Sequence, residues 1–402
     1  MSRQSPVIVL SLLWLVAVNL RTGFIGLGPV LPGLTLDLDL THTQASALVA
    51  LPTAMMGLAA TPGGRLADRW GAGRAIALGM AIVAVAGAAR AGTTAFVPLV
   101  VVTVLFGIGI GLSQPALPRL ARIWFPGRLG ASTGIYASGF VCGAIISASL
   151  TGPVLFRLLG ERNWRGPLAL WGGFALLICG AWIVTMRPWR SEPASVTPIS
   201  EIAPEQVAGW SPWRDRGAWW VALLFAAQGI AYYLLIAWMP AVYEDAGLSA
   251  GQIAALYATF NAATLPAIVG FPALSDRLGA RRPAALIASI LFAGGAIGLA
   301  VAPLADPWRW LWAATLGAGV AGVFAITLVL PAEIAPRGRT GAVAGMVLAV
   351  GYAGSALGPV IAGVVRDVTG SFATALAMMP LLGLGMVALS LIVPELPKTR
   401  RH

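Results

Sequence analysis

Arg21 carries the strongest chemical signal in this sequence. It stands deep in an apolar run over 7–36, between Asn19 and Thr22. An arginine at the centre of a membrane helix costs at least roughly 2.5–3.5 kcal/mol, so such residues are rare and usually functional. Its guanidinium is permanently charged and presents a planar fork of donors. That chemistry suits an anion or a strongly electronegative group. A structural role is the competing explanation, with Arg21 bonded to carbonyls of a helix broken at Gly23, Gly26 and Pro29. None of the 15 acidic residues lies deep in an apolar run. Arg21 therefore has no evident buried partner, and a membrane-embedded proton carrier is not evident either. A cationic cargo would meet an unpaired positive charge.

Other polar and aromatic residues inside apolar runs are candidate ligands. Gln228 and Tyr232 are four apart and share a helix face, and Tyr257, Asn261 and Thr264 form a similar stripe. Gln114, Tyr136, Trp238 and Tyr352 lie in four further positions of this kind. Each also has a plainer explanation. Tyr and Trp anchor helices at the membrane interface, and Asn and Gln bond between helices. Arg90, near the outer end of its run, either snorkels to water or stands at the mouth of a cavity.

A second chemical feature is a charged loop. Gly64-Arg65-Leu66-Ala67-Asp68-Arg69-Trp70-Gly71-Ala72-Gly73-Arg74 returns as Asp276-Arg277-Leu278-Gly279-Ala280-Arg281-Arg282, an offset of 208 residues from 68 to 276. At the same offset, Leu40-Thr41 with Gln44 matches Leu248-Ser249 with Gln252, and Pro32 matches Pro240. Two matches at one offset indicate duplication, as in many secondary transporters. Glycine permits a tight turn and close helix approach. A carboxylate at a helix end can pair with arginine and with a neighbouring helix N-terminus. Gly64, Asp68, Arg69, Gly71 and Arg74, with Asp276, Arg277, Gly279 and Arg282, are thus candidate conformational-switch residues.

The elements that must position these groups are membrane helices. The chain of 402 residues is 58% hydrophobic and 10% charged, against roughly 25% charged in soluble proteins. A spanning helix needs about 20 apolar residues. Twelve such runs are predicted: 7–36, 45–66, 74–92, 96–118, 130–159, 166–187, 216–243, 251–275, 283–302, 308–334, 340–366 and 371–393. The polar stretch from Arg187 to Arg216 divides them six and six. This predicts an all-α membrane protein with an N-terminal bundle over 1–187, a linker over 188–214 and a C-terminal bundle over 215–402. Loops on the side of the two termini hold most of the arginines and lysines, so both termini are expected in the cytoplasm. The first run is expected to be a retained helix and not a removed signal peptide. The net charge of +11 is spread among loops, which fits membrane orientation better than nucleic-acid binding. Cys142 and Cys179 sit in apolar runs and imply neither disulfide nor metal site.

The Gly64–Arg74 loop resembles the cytoplasmic signature loop of the major facilitator superfamily, with the basic residue that follows Gly71 delayed to Arg74. The resemblance implies two six-helix bundles around a central cavity and rocker-switch alternating access. Asn19-Leu20-Arg21, Gly28-Pro29-Val30-Leu31-Pro32, Ala50-Leu51-Pro52, Tyr232 and Leu235 to Ala241 with Tyr243 resemble the cyanate transporter family, which includes nitroimidazole transporters. Arg90 also fits it. This resemblance implies transport of a small anion or a small nitro-bearing heterocycle. Nitrate and nitrite porters are similar in using buried arginine. Their glycine-rich signature and a matching arginine in the eighth run are not found here.

The expected function is secondary transport of a small anionic or electronegative solute across a bacterial inner membrane. Arg21 is the expected main ligand, with Asn19, Gln114, Tyr136, Tyr232, Trp238, Tyr257, Asn261 and Tyr352 around it. Position 229, equivalent to Arg21, is glycine, so the cavity is expected to have a cationic N-terminal wall and an aromatic, amide-lined C-terminal wall. A co-transported proton or counter-anion and membrane lipid are the expected partners, and a monomer the expected state. No cofactor, metal or nucleic acid is expected. A multidrug or metabolite exporter of the same fold is the alternative. Enzymatic activity is not expected, because no nucleophile–base set or phosphate loop is present. Gly107-x-Gly109-x-Gly111 lies inside an apolar helix, where small residues permit helix packing.

Overall fold

A computed structural model describes residues 5–160, 163–186, 210–245, 247–301, 306–369 and 377–394. Among these, the regular elements are helical. They are α1 (Pro6–Ile25), α2 (Leu27–Asp37), α3 (His42–Trp70), α4 (Ala72–Ala91), α5 (Phe96–Ser113), α6 (Ala116–Trp124), α7 (Leu129–Leu150), α8 (Phe156–Leu159) and α9 (Arg165–Met186). The second half holds α10 (Arg216–Asp245), α11 (Ala250–Leu278), α12 (Arg282–Val301), α13 (Trp308–Ile334), α14 (Thr340–Thr369) and α15 (Met378–Ile392). Eleven segments among the described residues are long and apolar enough to cross a membrane. The twelfth, α15, is 15 residues long and follows residues 370–376, which lie outside the described set. The chain is a multi-pass membrane protein with the twelve-helix plan.

Three predicted runs are interrupted: the first and the fourth near a proline, and the fifth between α7 and α8, where Thr151–Leu155 form a π-helix. The first divides at Gly26, between α1 and α2. Pro29 has no N–H for the carbonyl of Ile25. The fourth divides at Gln114 and Pro115, between α5 and α6.

The repeated Thr41/Gln44 and Ser249/Gln252 pairs are capping boxes. Thr41 Oγ1 accepts from the Gln44 N–H, and Gln44 Oε1 accepts from the Thr41 N–H at 2.9 Å. Ser249 and Gln252 repeat both bonds at the start of α11. Each box satisfies two N–H groups that a helix start otherwise leaves open. Thr41→Ala is expected to destabilise the protein by about 1 kcal/mol. A lowered thermal midpoint with unchanged helix content by circular dichroism would show this.

The chain clusters into two compact units. One comprises Met1–Trp124, Ile135–Trp210 and Ala335–Ala349; the other comprises Phe125–Gly134, Ser211–Ile334 and Val350–His402. The main division falls inside the expected linker, much of which (residues 187–209) lies outside the described set. The first turns of α7 and α14 cluster with the opposite half of the sequence.

Both units use one packing scheme. In the first, α5 packs on α3 and α4, and α9 packs on α4. In the second, α13 packs on α11 and α12, and α15 packs on α12. Small residues make the approach possible. A Cβ on Gly107 would lie 2.7 Å from the Pro52 carbonyl oxygen, one on Gly111 2.6 Å from that of Met56, and one on Gly109 2.8 Å from that of Gly79. The G-x-G-x-G run thus meets two neighbouring helices at once.

Candidate functional site

Arg21 is placed by the crossing of α1 and α7. Trp14 Nε1 donates to Ser138 Oγ at 3.1 Å, and Ser147 Oγ donates to the Thr22 carbonyl at 2.8 Å. Between these bonds, a Cβ on Gly143 would lie 3.1 Å from Arg21 Cβ. The glycine brings the two backbones together beside the arginine stem. Arg21 is half-buried, and its Cζ lies 5.5 Å from the Phe24 ring centroid. Tyr136 is buried two turns before Gly143 on the same face of α7.

Asn19 does not join Arg21. It is buried and faces α4, where Nδ2 donates to Met80 Sδ at 3.4 Å. Two residues apart on a helix are not neighbours on one face. Asn19 instead lines a small cavity with Arg90. Arg90 is 1% exposed, donates through Nη1 to the Gly23 carbonyl at 3.1 Å, and stacks with its Cζ 3.6 Å from the Phe106 ring centroid. Snorkelling to water is therefore excluded for Arg90. Gln114 is buried at the α5–α6 break.

The second unit holds the remaining candidates. Tyr232, half-buried in α10, meets Tyr233 edge to face with centroids 5.4 Å apart. Trp238 belongs to the same helix, and its side chain lies outside the described set. In α11, Asn261 Nδ2 donates to the Tyr257 carbonyl at 2.8 Å, and Thr264 Oγ1 donates to the Asn261 carbonyl. Tyr257 stacks on Phe260. Tyr352, buried in α14, meets Phe225 of α10 edge to face at 6.0 Å. Gly229, the counterpart of Arg21, faces Ser355; a Cβ there would lie 2.1 Å from Ser355 Oγ.

The two charged loops build equivalent carboxylate sites. In the first unit, Asp68 accepts from the N–H groups of Gly341 and Ala342, at 2.8 and 2.7 Å, and from Arg119 Nη1 at 2.7 Å. In the second, Asp276 accepts from the N–H groups of Gly130 and Ala131, at 3.0 and 2.7 Å, and from Arg281 Nη1 at 2.6 Å. Each carboxylate thus caps a helix start, where open N–H groups and the helix dipole favour negative charge. Gly71, with φ of 94°, and Gly279, with φ of 65°, make the turns. Gly64 leaves no space for a side chain, since a Cβ there would lie 1.9 Å from the Gly341 carbonyl oxygen.

The cations differ between the halves. Arg69, Arg74 and Arg277 are exposed, and the buried partners are Arg119 and Arg281. Arg281 also holds Glu333 through Nε and Nη2. Burial works against the charge on Arg281, but Glu333 and Asp276 outweigh it and raise its pKa above the ordinary value. Arg282 donates to the Val393 carbonyl. Position 73, equivalent to Arg281, is glycine, and Arg119 of α6 serves the first carboxylate instead. A repeat marks the donor ends: Arg128-Leu129-Gly130-Ala131-Ser132-Thr133-Gly134 matches Arg339-Thr340-Gly341-Ala342-Val343-Ala344-Gly345.

The sequence model of the Major Facilitator Superfamily matches residues 13–359, and again 244–402. The chain belongs to the major facilitator superfamily. It is a solute transporter, not an enzyme, and its substrate is a small molecule. Among its relatives, the 2-nitroimidazole transporter of Escherichia coli (strain K12) is 25% identical over 394 residues, covering 98% of this chain and 95% of that protein. The cyanate transport protein CynX of the same organism is 27% identical over 389 residues, covering 95% and 96%. The solved structure of the proton:xylose symporter XylE bound to 6-bromo-6-deoxy-D-glucose has a TM-score of 0.79 at 14% identity, covering 98% of this chain and 97% of that one. That likeness carries the superfamily fold. In this superfamily member the repeated loops are the places where each unit ties down a helix start from the other half of the sequence.

Proposed function

We propose that this transporter moves a small anionic or electronegative solute, such as cyanate, a nitrite-like anion or a nitroimidazole, across the bacterial inner membrane by rocker-switch alternating access. Arg21 is its main ligand. The observation that carries the proposal is a half-buried arginine in the middle of an apolar helix, its Cβ packed beside Gly143. The cyanate and nitroimidazole transporters similar to this chain support the substrate class. Gln114 and Tyr136 in the first unit, and Tyr232, Trp238, Tyr257, Asn261 and Tyr352 in the second, are proposed secondary ligands. Asn19 belongs with Arg90.

In the same proposal Gly64, Asp68, Arg69, Gly71 and Arg74, with Asp276, Arg277, Gly279 and Arg282, form the switch loops. Their carboxylates release the helix starts of α14 and α7 as the conformation changes. Both termini lie in the cytoplasm, the protein works as a monomer among membrane lipids, and a proton or counter-anion moves with the solute.

Thermal unfolding across a ligand panel tests the substrate class. A ligand of the folded state raises the midpoint by mass action. Cyanate, nitrite or a nitroimidazole is expected to raise it saturably, while lipophilic cations leave it unchanged. Stabilisation by the cations alone would reject the proposal.

A further inference from the structure

Arg90 is a charge that the proposed solute site does not use. It lies on the opposite side of α1 from the α7 crossing, among α1, α4, α5 and α9. Only Nη1 has a partner, the neutral carbonyl of Gly23. Nε and Nη2 are buried without a hydrogen-bond partner among the described residues. No ion pair among these residues includes Arg90. Phe106 covers the guanidinium and stabilises it by stacking. It leaves the positive charge in place, because arginine does not deprotonate in proteins. A buried ion without a counter-charge is strongly penalised.

The space beside this charge is small. Asn19, Gly23, Gly87, Phe106, Trp171 and Gly172 line it with Arg90. Its volume is about 10 Å³, room for a single small particle. Glycine keeps it open: a Cβ on Gly23 would lie 2.9 Å from Phe106 Cζ. A water can satisfy the free N–H groups but supplies no charge. A monatomic anion supplies both. Cyanate, with three atoms in line, exceeds the space.

We infer that Arg90 and its cavity form a second anion site, which holds a chloride-sized monovalent ion as a resident counter-ion of the first unit. The site is independent of the role proposed for Arg21.

The test is thermal unfolding of the purified full-length protein, titrated with sodium chloride or bromide against sodium gluconate at constant ionic strength. Halide is expected to raise the midpoint saturably by several degrees, and gluconate is too large to substitute. Arg90→Gln is expected to remove the halide-dependent rise. Gly87→Val keeps the arginine and fills the cavity, and it is expected to remove the rise as well. A Cβ on Gly87 would make ordinary contact, at 3.6 Å from Gly172 Cα and Phe106. Arg21→Gln is expected to keep the rise. If Arg90→Gln does not fold, the wild type and Gly87→Val decide. Equal midpoints in halide and gluconate for the wild type would overturn the inference. So would a halide effect that survives Gly87→Val, or one that disappears with Arg21→Gln.

Discussion

Arg21→Ala is expected to abolish saturable uptake in proteoliposomes while the protein still folds. A charged donor contributes roughly 1.5–3 kcal/mol per hydrogen bond to a partner. Loss of two such bonds weakens binding on the order of 100-fold to 10,000-fold. Alanine keeps the Cβ that packs beside Gly143, and the lost side chain is half-buried. The fold therefore has little to lose. Arg21→Lys separates charge from shape: it retains the charge but not the planar fork, so an intermediate loss is expected. Uptake equal to wild type in the alanine variant would end the binding role.

Asp68→Asn is expected to be the most destabilising change at the charged loops. Its side chain is 1% exposed and that of Arg119 is 7% exposed. Breaking a buried pair costs about 3–5 kcal/mol, and this change also weakens the carboxylate's bonds to the N–H groups of Gly341 and Ala342. Asp276→Asn is expected to cost less. Its side chain is 19% exposed, and Arg281 keeps Glu333. Thermal midpoints should therefore fall further for Asp68→Asn than for Asp276→Asn. Arg119→Leu added to Asp68→Asn should cost less than the sum of the two single changes, since both act on one ion pair. Equal falls in both single variants would contradict the difference between the two sites.

The parts of this account that were legible in sequence are those set by local pattern. Apolar runs mark the spans, and the repeated Thr41/Gln44 and Ser249/Gln252 pairs mark two helix starts. Asp68 and Asp276 were recognisable from the repeat, with helix N-termini as their expected partners. Pairing each carboxylate with its helix start required the fold, because Gly341 and Gly130 lie 273 and 146 residues from Asp68 and Asp276. The cation was harder still. Arg69 and Arg277 follow the carboxylates directly, yet adjacent residues on a helix point apart. Arg119 and Arg281 reach them instead. Asn19 illustrates the same geometry: near Arg21 in sequence, it turns to Met80 and the Arg90 cavity. The lack of a second Arg21 also has a steric cause. At Gly229 the approach of Ser355 leaves no room for a side chain.

Isothermal titration distinguishes a solute-binding role for Arg21 from a structural one. The ligand that most stabilises the wild type would be titrated into wild type and Arg21→Gln, both in bilayer nanodiscs. A saturable isotherm for wild type and no detectable heat of binding for the variant is the predicted result. The same dissociation constant for both proteins would contradict the account.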